Sequence, residues 1–577
     1  MTNSEYDESN FTSYCESMRL TTVFILFIFL WHGLSAQDIS SFGNKNSYNL
    51  SGNINLGINY YDISGERPSF YAPYGYQISG HVNGQIGGIN IPLQFSLNQN
   101  SNSISSPFNL YGASPYYKWI KLHLGYRSLS FSPYIYNGRS FLGIGVELNP
   151  GKFNVTAFRG RLKNLLAIRQ AQLNETEILP TYTRWVHGAR LGYGNRRSRI
   201  EIMGVHIEDD PSTGKGALYS PQENIVFGSK AQLNILKRLN LGINASISLL
   251  TSDLNATTFE TQSELSEQLS TITTLNASSR ASWAGDAFIN YNYKGYEIGV
   301  KGKRINPFYT SLGTNYLVND IENYTLNATA PFFKNKLRIQ GSIGQERDNL
   351  LGHKAFTSVR TIGSVAILFR QGQNLFIQGR YNNYQQENES GLYVINDSIR
   401  VLTTTSNVML ASQFTILKSD LKEVRVNANI FSNQVIDEVA IEGNQELFTG
   451  MGGYLNANYI LKEKAFSIGP VFNYQDFKSV ETHQKRIGIG VNASKSFFDQ
   501  KLNASINTIY NSDINQENDD GYFLSFFFNL RYNIQKQFAV NLRLNHNNNQ
   551  GIISQSYNEW RGHLSFSYRW SLLNQKK

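Results

Sequence analysis

The side chains best suited to chemistry in this 577-residue chain are basic, and they share a position in a repeating pattern. Within segments where apolar and polar residues alternate, Lys121, Arg127, Arg190, Lys301, Lys303, Arg338, Arg380, Arg425, Arg531, Arg543 and Arg569 all fall on the polar face. Acids in equally clear phase are Glu147, Glu297 and Glu423. If that face lines water, such a set attracts anions, as Arg and Lys rings do in anion-conducting pores. The same cations could instead pair with carboxylates on that wall or with phosphates near a rim, and the sequence leaves both open.

Other chemistry finds little footing. The nine histidines are scattered, and none shows the i, i+4 or Cys-linked spacing of a metal site. His81, His123, His206 and His546 could enter a Ser/His or His/Asp pair only across strands, since such groupings are spatial and not sequential. The run Leu142-Gly143-Ile144-Gly145-Val146 has the alternation of a strand, and no helix pattern follows it, so no phosphate-cradling loop or dinucleotide fingerprint is present. The sequence implies no cofactor, no metal and no enzymatic activity. Its basic charge is spread without a cluster, which argues against a nucleic-acid partner.

The elements that position these residues are strands. In Tyr48–Tyr60, Tyr48, Leu50, Ile54, Leu56, Ile58 and Tyr60 alternate with Asn49, Ser51, Asn53, Asn55 and Asn59. Alternation of this kind gives a strand two unlike faces. It returns in Tyr74–Ile86 and, after a Gly87-Gly88 pair fitted to a two-residue hairpin, from Ile89 onward. About 22–26 such segments follow one another, each about 9–13 residues long, the length a spanning strand needs. Composition agrees: 16% of residues are charged, against about 25% in ordinary soluble domains, while Asn, Ser, Gln, Gly and Tyr are abundant. Aromatic residues sit near the ends of the apolar face, as in Tyr48/Tyr60 and Tyr522/Tyr532, where membrane barrels carry girdles.

Residues 18–36 combine Arg19, an apolar run from Leu20 to Trp31 and a Leu34-Ser35-Ala36 exit. This is the pattern of a secretory signal peptide, with Met18 as the expected start and cleavage after Ala36. Removing residues 1–36 takes away Glu5, Asp7, Glu8, Glu16 and Arg19, moving the net charge from +9 to +12, and it also removes the one cysteine, Cys15. The expected organisation is a signal peptide with an N-terminal extension (1–36), a short periplasmic segment (37–47), one barrel (48–572) and a periplasmic tail (573–577). Eleven residues between cleavage site and first strand are too few for the separate plug domain of an energy-coupled receptor.

The signal peptide, the alternating strands and the closing segment His563–Leu572, with Phe566, Tyr568 and Trp570 on one face, resemble an outer-membrane β-barrel protein of Gram-negative bacteria. The Tyr/Asn-rich character and the Leu-Ser-Ala-Gln exit resemble barrels of the Bacteroidota. That resemblance implies an all-β fold, a single large transmembrane antiparallel β-barrel of about 24 strands (20–26), in the cell outer membrane. It implies outer-membrane lipid and lipopolysaccharide as surroundings and the barrel-assembly machinery as a partner that recognises Phe566, Tyr568 and Trp570. Trp570 departs from the pattern by lying seven residues before the end.

The longest breaks in alternation are residues 99–115, 165–187 and 252–281, expected as outer loops. Segment 128–139, SLSFSPYIYNGR, follows Ile120–Tyr126 where a descending strand should meet a short turn. Either a strand is misplaced there, or the segment folds into the lumen and narrows it. The function expected is a passive, porin-like channel with a weak preference for small anionic solutes. The alternative is a non-enzymatic scaffold that docks a protein partner from a secretion or surface-glycan apparatus. A barrel-embedded hydrolase using lumen histidines is a more distant option.

Overall fold

The computed structural model describes residues 48–573 apart from 70, 99–109, 163–181, 215–216, 218, 259–266, 269, 316, 391–400, 439–444, 515–520 and 552–554. The expected signal peptide, Met18, Cys15, segment 37–47 and the last residues of the tail lie outside the described residues.

Every strand pairs antiparallel with its neighbours in sequence, and the first, Tyr48–Gly65, pairs with the last, Tyr557–Leu573. The closing register runs from Asn49 opposite Leu573 to Gly65 opposite Tyr557. The sheet is therefore a cylinder without an edge. Leu110–Ala113 and Tyr116–Tyr117 both lie between the same two neighbours and form one interrupted strand, so the barrel has 26 strands. That falls inside the range expected from alternation.

One rim carries short turns and the other long connections. Gly87 and Gly88 make the expected hairpin, with φ of 57° and 87°, the left-handed values a type I′ turn requires. The first and last strands also meet at the short-turn rim.

Three assignments made from alternation need correction. Residues 110–115 were expected within a loop but supply most of the interrupted strand Leu110–Tyr117, whose pattern Ser114-Pro115 breaks. Because that strand descends, Ile120–Ser128 ascends, and segment 129–139 leaves from the long-connection rim. Strand Thr183–Gly194 takes in residues placed in the 165–187 loop, and Ser279–Tyr293 begins inside the 252–281 break. In both, polar residues such as Thr183, Arg184 and Ser279 blur the apolar phase at the strand's outer end.

The two faces separate as alternation requires. Ile144, Ile202, Ile247, Ile298, Ile343 and Ile489 are each more than half exposed on the outer surface. Gly52 shows how tightly the closing seam is packed there. A Cβ at this position would meet the His81 carbonyl and the Trp570 ring at 2.6 Å. Gly52→Val should lower unfolding stability by about 1–3 kcal/mol, the usual cost of overpacking. Gly363→Val, with nothing within 4 Å of the added carbon, should be close to neutral. Urea unfolding of the two variants checks this.

Candidate functional site

The interior is built asymmetrically. Segment 129–139 and the connection 306–320 turn inward and pack on one side of the lumen. Ile135 and Tyr136 are fully buried, with Phe131, Tyr134 and Tyr309 nearly so, against Phe141, Phe158, Val186, Val205, Ile207 and Val226. Those wall residues occupy inward positions, where a water-lined strand would carry polar side chains. Here the wall is apolar because it faces protein. Gly228 gives the room: a Cβ there would lie 2.7 Å from Ile135 Cδ1.

Hydrogen bonds attach the two segments to each other and to the wall. Asn137 N–H donates to Gly313 O at 3.0 Å, Tyr309 OH to Tyr134 O at 3.0 Å and Ser311 Oγ to Ile135 O at 2.6 Å. Ser132 Oγ donates to Asn244 Oδ1 at 3.0 Å, and Leu312 N–H to Asn224 Oδ1 at 3.0 Å. Burial raises the Tyr309 phenol to about 12 and lowers the Arg139 guanidinium to about 10, so neither changes charge near neutral pH. Both possibilities for segment 128–139 hold: a strand before it was misplaced, and the segment itself folds inward. The share taken by 306–320 was not foreseen, since Pro307, Phe308 and Tyr309 look from the sequence like an ordinary outer loop.

Contact with this inward body identifies the lumen face, and strand pairing carries that face around the barrel. Residues opposite one another share a side, as in the succession Asn244, Asp286, Lys303, Asn323, Glu346 and Arg360. The eleven basic positions all continue this face; five are paired with carboxylates, five have no such partner among the described residues, and Arg127 is held by a backbone carbonyl instead.

The first group is neutralised. Lys121 pairs with Glu147 at 3.2 Å, Arg190 with Glu201 at 3.5 Å, Lys301 with Asp286 at 3.8 Å and Lys303 with Glu346 at 3.9 Å, while Arg425 pairs with Glu423. Arg190 also donates to Ser130 O and lies over the Phe131 ring, holding the inward segment. Arg127 donates through Nε to Ala113 O at 3.1 Å, and its buried Nη2 has no hydrogen-bond partner.

The second group is Arg338, Arg380, Arg531, Arg543 and Arg569, for which no carboxylate partner is found among the described residues. Arg531, Arg543 and Arg569 converge near the short-turn rim. With Lys536, Asn529, Asn541, Ser565 and Ser567 they line a pocket of about 370 Å³ that contains no acidic residue. The closing-strand residues Phe566, Tyr568 and Trp570 sit opposite Leu56, Ile54 and Gly52 on the outer face.

The histidines also separate. His206 and His546 occupy outward positions, and His546 stacks on Trp560 at 4.2 Å, so neither belongs to the lumen. His123 is an inward residue, and its ring accepts or donates to Ser114 Oγ at 3.2 Å through Nδ1 and bonds Glu147 through Nε2. Ser114 was missed because it lies in the break of the interrupted strand; Glu147 was read as a polar-face acid, but its contact with His123, 24 residues away in sequence, was not.

No protein-family model matches the chain, and no curated protein matches it by sequence. Similar solved structures include the siderophore receptor PirA from Pseudomonas aeruginosa, at 9% identity and TM-score 0.38, covering 90% of this chain and 80% of that one. The copper transporter OprC is similar at 8% identity and TM-score 0.39, covering 92% and 81%. The P pilus usher PapC translocation pore is similar at 10% identity and TM-score 0.37, covering 90% and 99%. The barrel itself is established by this chain's own strand pairing.

Replacing Phe131–Tyr136 with a Gly/Ser linker should remove buried apolar contacts worth about 1.5–3 kcal/mol per large side chain and open that side of the lumen. Single-channel conductance in a planar bilayer should rise. Conductance equal to that of the unaltered chain would show that the inward body does not limit flow.

Proposed function

We propose that the chain is an outer-membrane channel that passes small solutes by diffusion, with a weak preference for anions. The observation that carries this reading is the acid-free pocket formed by Arg531, Arg543 and Arg569 on the wall opposite the neutralised, loop-filled side. Cations without carboxylate partners keep their field in the lumen, where they lower the energy of a passing anion.

The membrane part of the proposal rests on the outer surface. Tyr48, Phe153, Tyr193, Tyr296, Tyr532 and Tyr568 project near the short-turn rim, and Tyr60, Tyr74, Trp283, Tyr324, Tyr510 and Trp560 near the other, with exposed aliphatic residues between. Tyr48 and Tyr60 are separated by about 40 Å of strand. At the tilt of about 40° found in such barrels, this spans about 30 Å, the thickness of a bilayer's hydrocarbon core.

A second reading, a barrel-embedded hydrolase, is favoured by the Ser114–His123–Glu147 chain. Glu147 holds one ring nitrogen, leaving Nδ1 to take the Ser114 proton as Oγ adds to an ester carbonyl; the proton then goes to the departing alcohol, and water releases the acid. It ranks second because His123 is only 4% exposed and Glu147 also binds Lys121, the arrangement of a brace across the interrupted strand.

Two experiments separate these functions. Arg531→Gln, Arg543→Gln and Arg569→Gln combined should move the reversal potential in a salt gradient toward that of an unselective pore, with conductance retained. Cation preference in the unaltered protein would refute the anion reading, and electrical silence with a co-purifying protein would favour a scaffold. Under the channel reading, the purified barrel hydrolyses no p-nitrophenyl ester; hydrolysis that disappears in Ser114→Ala would establish the enzyme instead.

A further inference from the structure

On the outer surface, near the long-connection rim, strands Thr183–Gly194, Arg199–Asp210 and Glu223–Ile235 place two like pairs side by side. His187 lies directly opposite His206, and Glu208 directly opposite Glu223. Like groups facing each other across a sheet repel when charged, so each pair alone is unfavourable. Together they make a compact set of donors. His206 Nε2 is 2.8 Å from Glu223 Oε1, and His187 Nε2 is 3.9 Å from Glu208 Oε1. The ligand atoms of His206, Glu208 and Glu223 all lie within 4.8 Å of one another, and the His187 and His206 rings stack at 6.1 Å.

We propose that His187, His206, Glu208 and Glu223 bind a divalent transition-metal cation of the zinc class. Two imidazoles and two carboxylates are the donors such an ion takes, whereas magnesium and calcium prefer all-oxygen sets. Metal–donor bonds of about 2.0–2.2 Å in a tetrahedron require donors about 3.3 Å apart. The 2.8 Å separation of His206 and Glu223 lies near that value, and the donors of His206, Glu208 and Glu223 are all within 4.8 Å, so small side-chain shifts close the site on these three; His187, 3.9 Å from Glu208, joins them once its ring turns inward. The ion replaces the proton shared between His206 and Glu223 and cancels the repulsion between the two glutamates.

The surroundings orient one ligand already. The Glu223 side chain is 7% exposed, and its Oε2 accepts the Thr274 N–H at 2.9 Å, which leaves Oε1 directed at His206. A fixed outer partner of this kind is what holds a ligating carboxylate in place. Through Thr274, the bound ion would tie three strand ends to the 252–278 connection. The alternation pattern conceals the cluster, because its members come from three strands and none is spaced as a metal motif.

The folded full chain in detergent, stripped with chelator, should take up one zinc ion per chain in calorimetric titration with zinc chloride. X-ray absorption should show nitrogen and oxygen ligands, including imidazole. Glu208→Gln, at a half-exposed position, and His206→Ala should each weaken binding about tenfold or more while the barrel keeps its heat-modifiable migration on gels. Absence of zinc uptake, or uptake unchanged in the Glu208→Gln/His206→Ala double variant, would overturn the proposal. If His206→Ala fails to fold, Glu208→Gln alone decides between these outcomes.

Discussion

Backbone hydrogen bonding between the first and last strands is the constraint on which the rest depends. A strand exposed to hydrocarbon cannot leave its N–H and C=O groups unpaired, because no water is present to satisfy them. Pairing Tyr48–Gly65 with Tyr557–Leu573 removes the edges of the sheet and fixes an inside and an outside for every residue. Register then has no freedom: a slip by one residue at the seam would send the Asn face outward and the Leu, Ile and Tyr face into the lumen. The packing of Trp570 over Gly52 belongs to the same seam, where a side chain on one strand occupies the space left by a glycine on the other.

Closure with this many strands creates an interior that wall side chains cannot fill. The chain meets that condition differently on its two sides. Where segments 129–139 and 306–320 fold in, the wall turns apolar and buries Phe131, Ile135, Tyr136 and Tyr309 as a soluble core would. Four of its basic residues there, Lys121, Arg190, Lys301 and Lys303, are matched with Glu147, Glu201, Asp286 and Glu346, in keeping with the cost of leaving charge unpaired beside protein, while Arg127 and Arg139 bond backbone carbonyls. Away from the inward segments, Arg531, Arg543 and Arg569 line a pocket without carboxylates, while Arg486 and Arg561 on the same side pair with Asp513 and Glu559. The buried core on one side and the carboxylate-free arginine pocket on the other thus belong to one unevenly filled barrel.

The outer surface shows a similar division by depth. Its middle band needs only apolar side chains, and isoleucine and leucine supply it. Toward the long-connection rim polar chemistry returns, and there His187, His206, Glu208 and Glu223 gather, with Thr274 N–H bonded to Glu223. That cluster depends on the same cross-strand register that closes the barrel, since a shift of one residue would place half of it in the lumen.

Strand, face and closure were legible in the sequence because a period of two is local: neighbouring residues in the chain report it directly. So was the Gly87-Gly88 turn, and the phase of the basic residues, each readable from its own segment. Where polar residues or Ser114-Pro115 interrupt the alternation, the local signal fails, and there strand Leu110–Tyr117 and the start of Thr183–Gly194 were missed. What only the tertiary structure decided is which residues meet. Ion pairing separates the inert cations from the free ones, His123 finds Ser114 and Glu147, and two connections fold inward against a wall whose apolar residues otherwise break the pattern. These are contacts between residues distant in the chain, set by the curvature of a closed sheet, and no local periodicity records them.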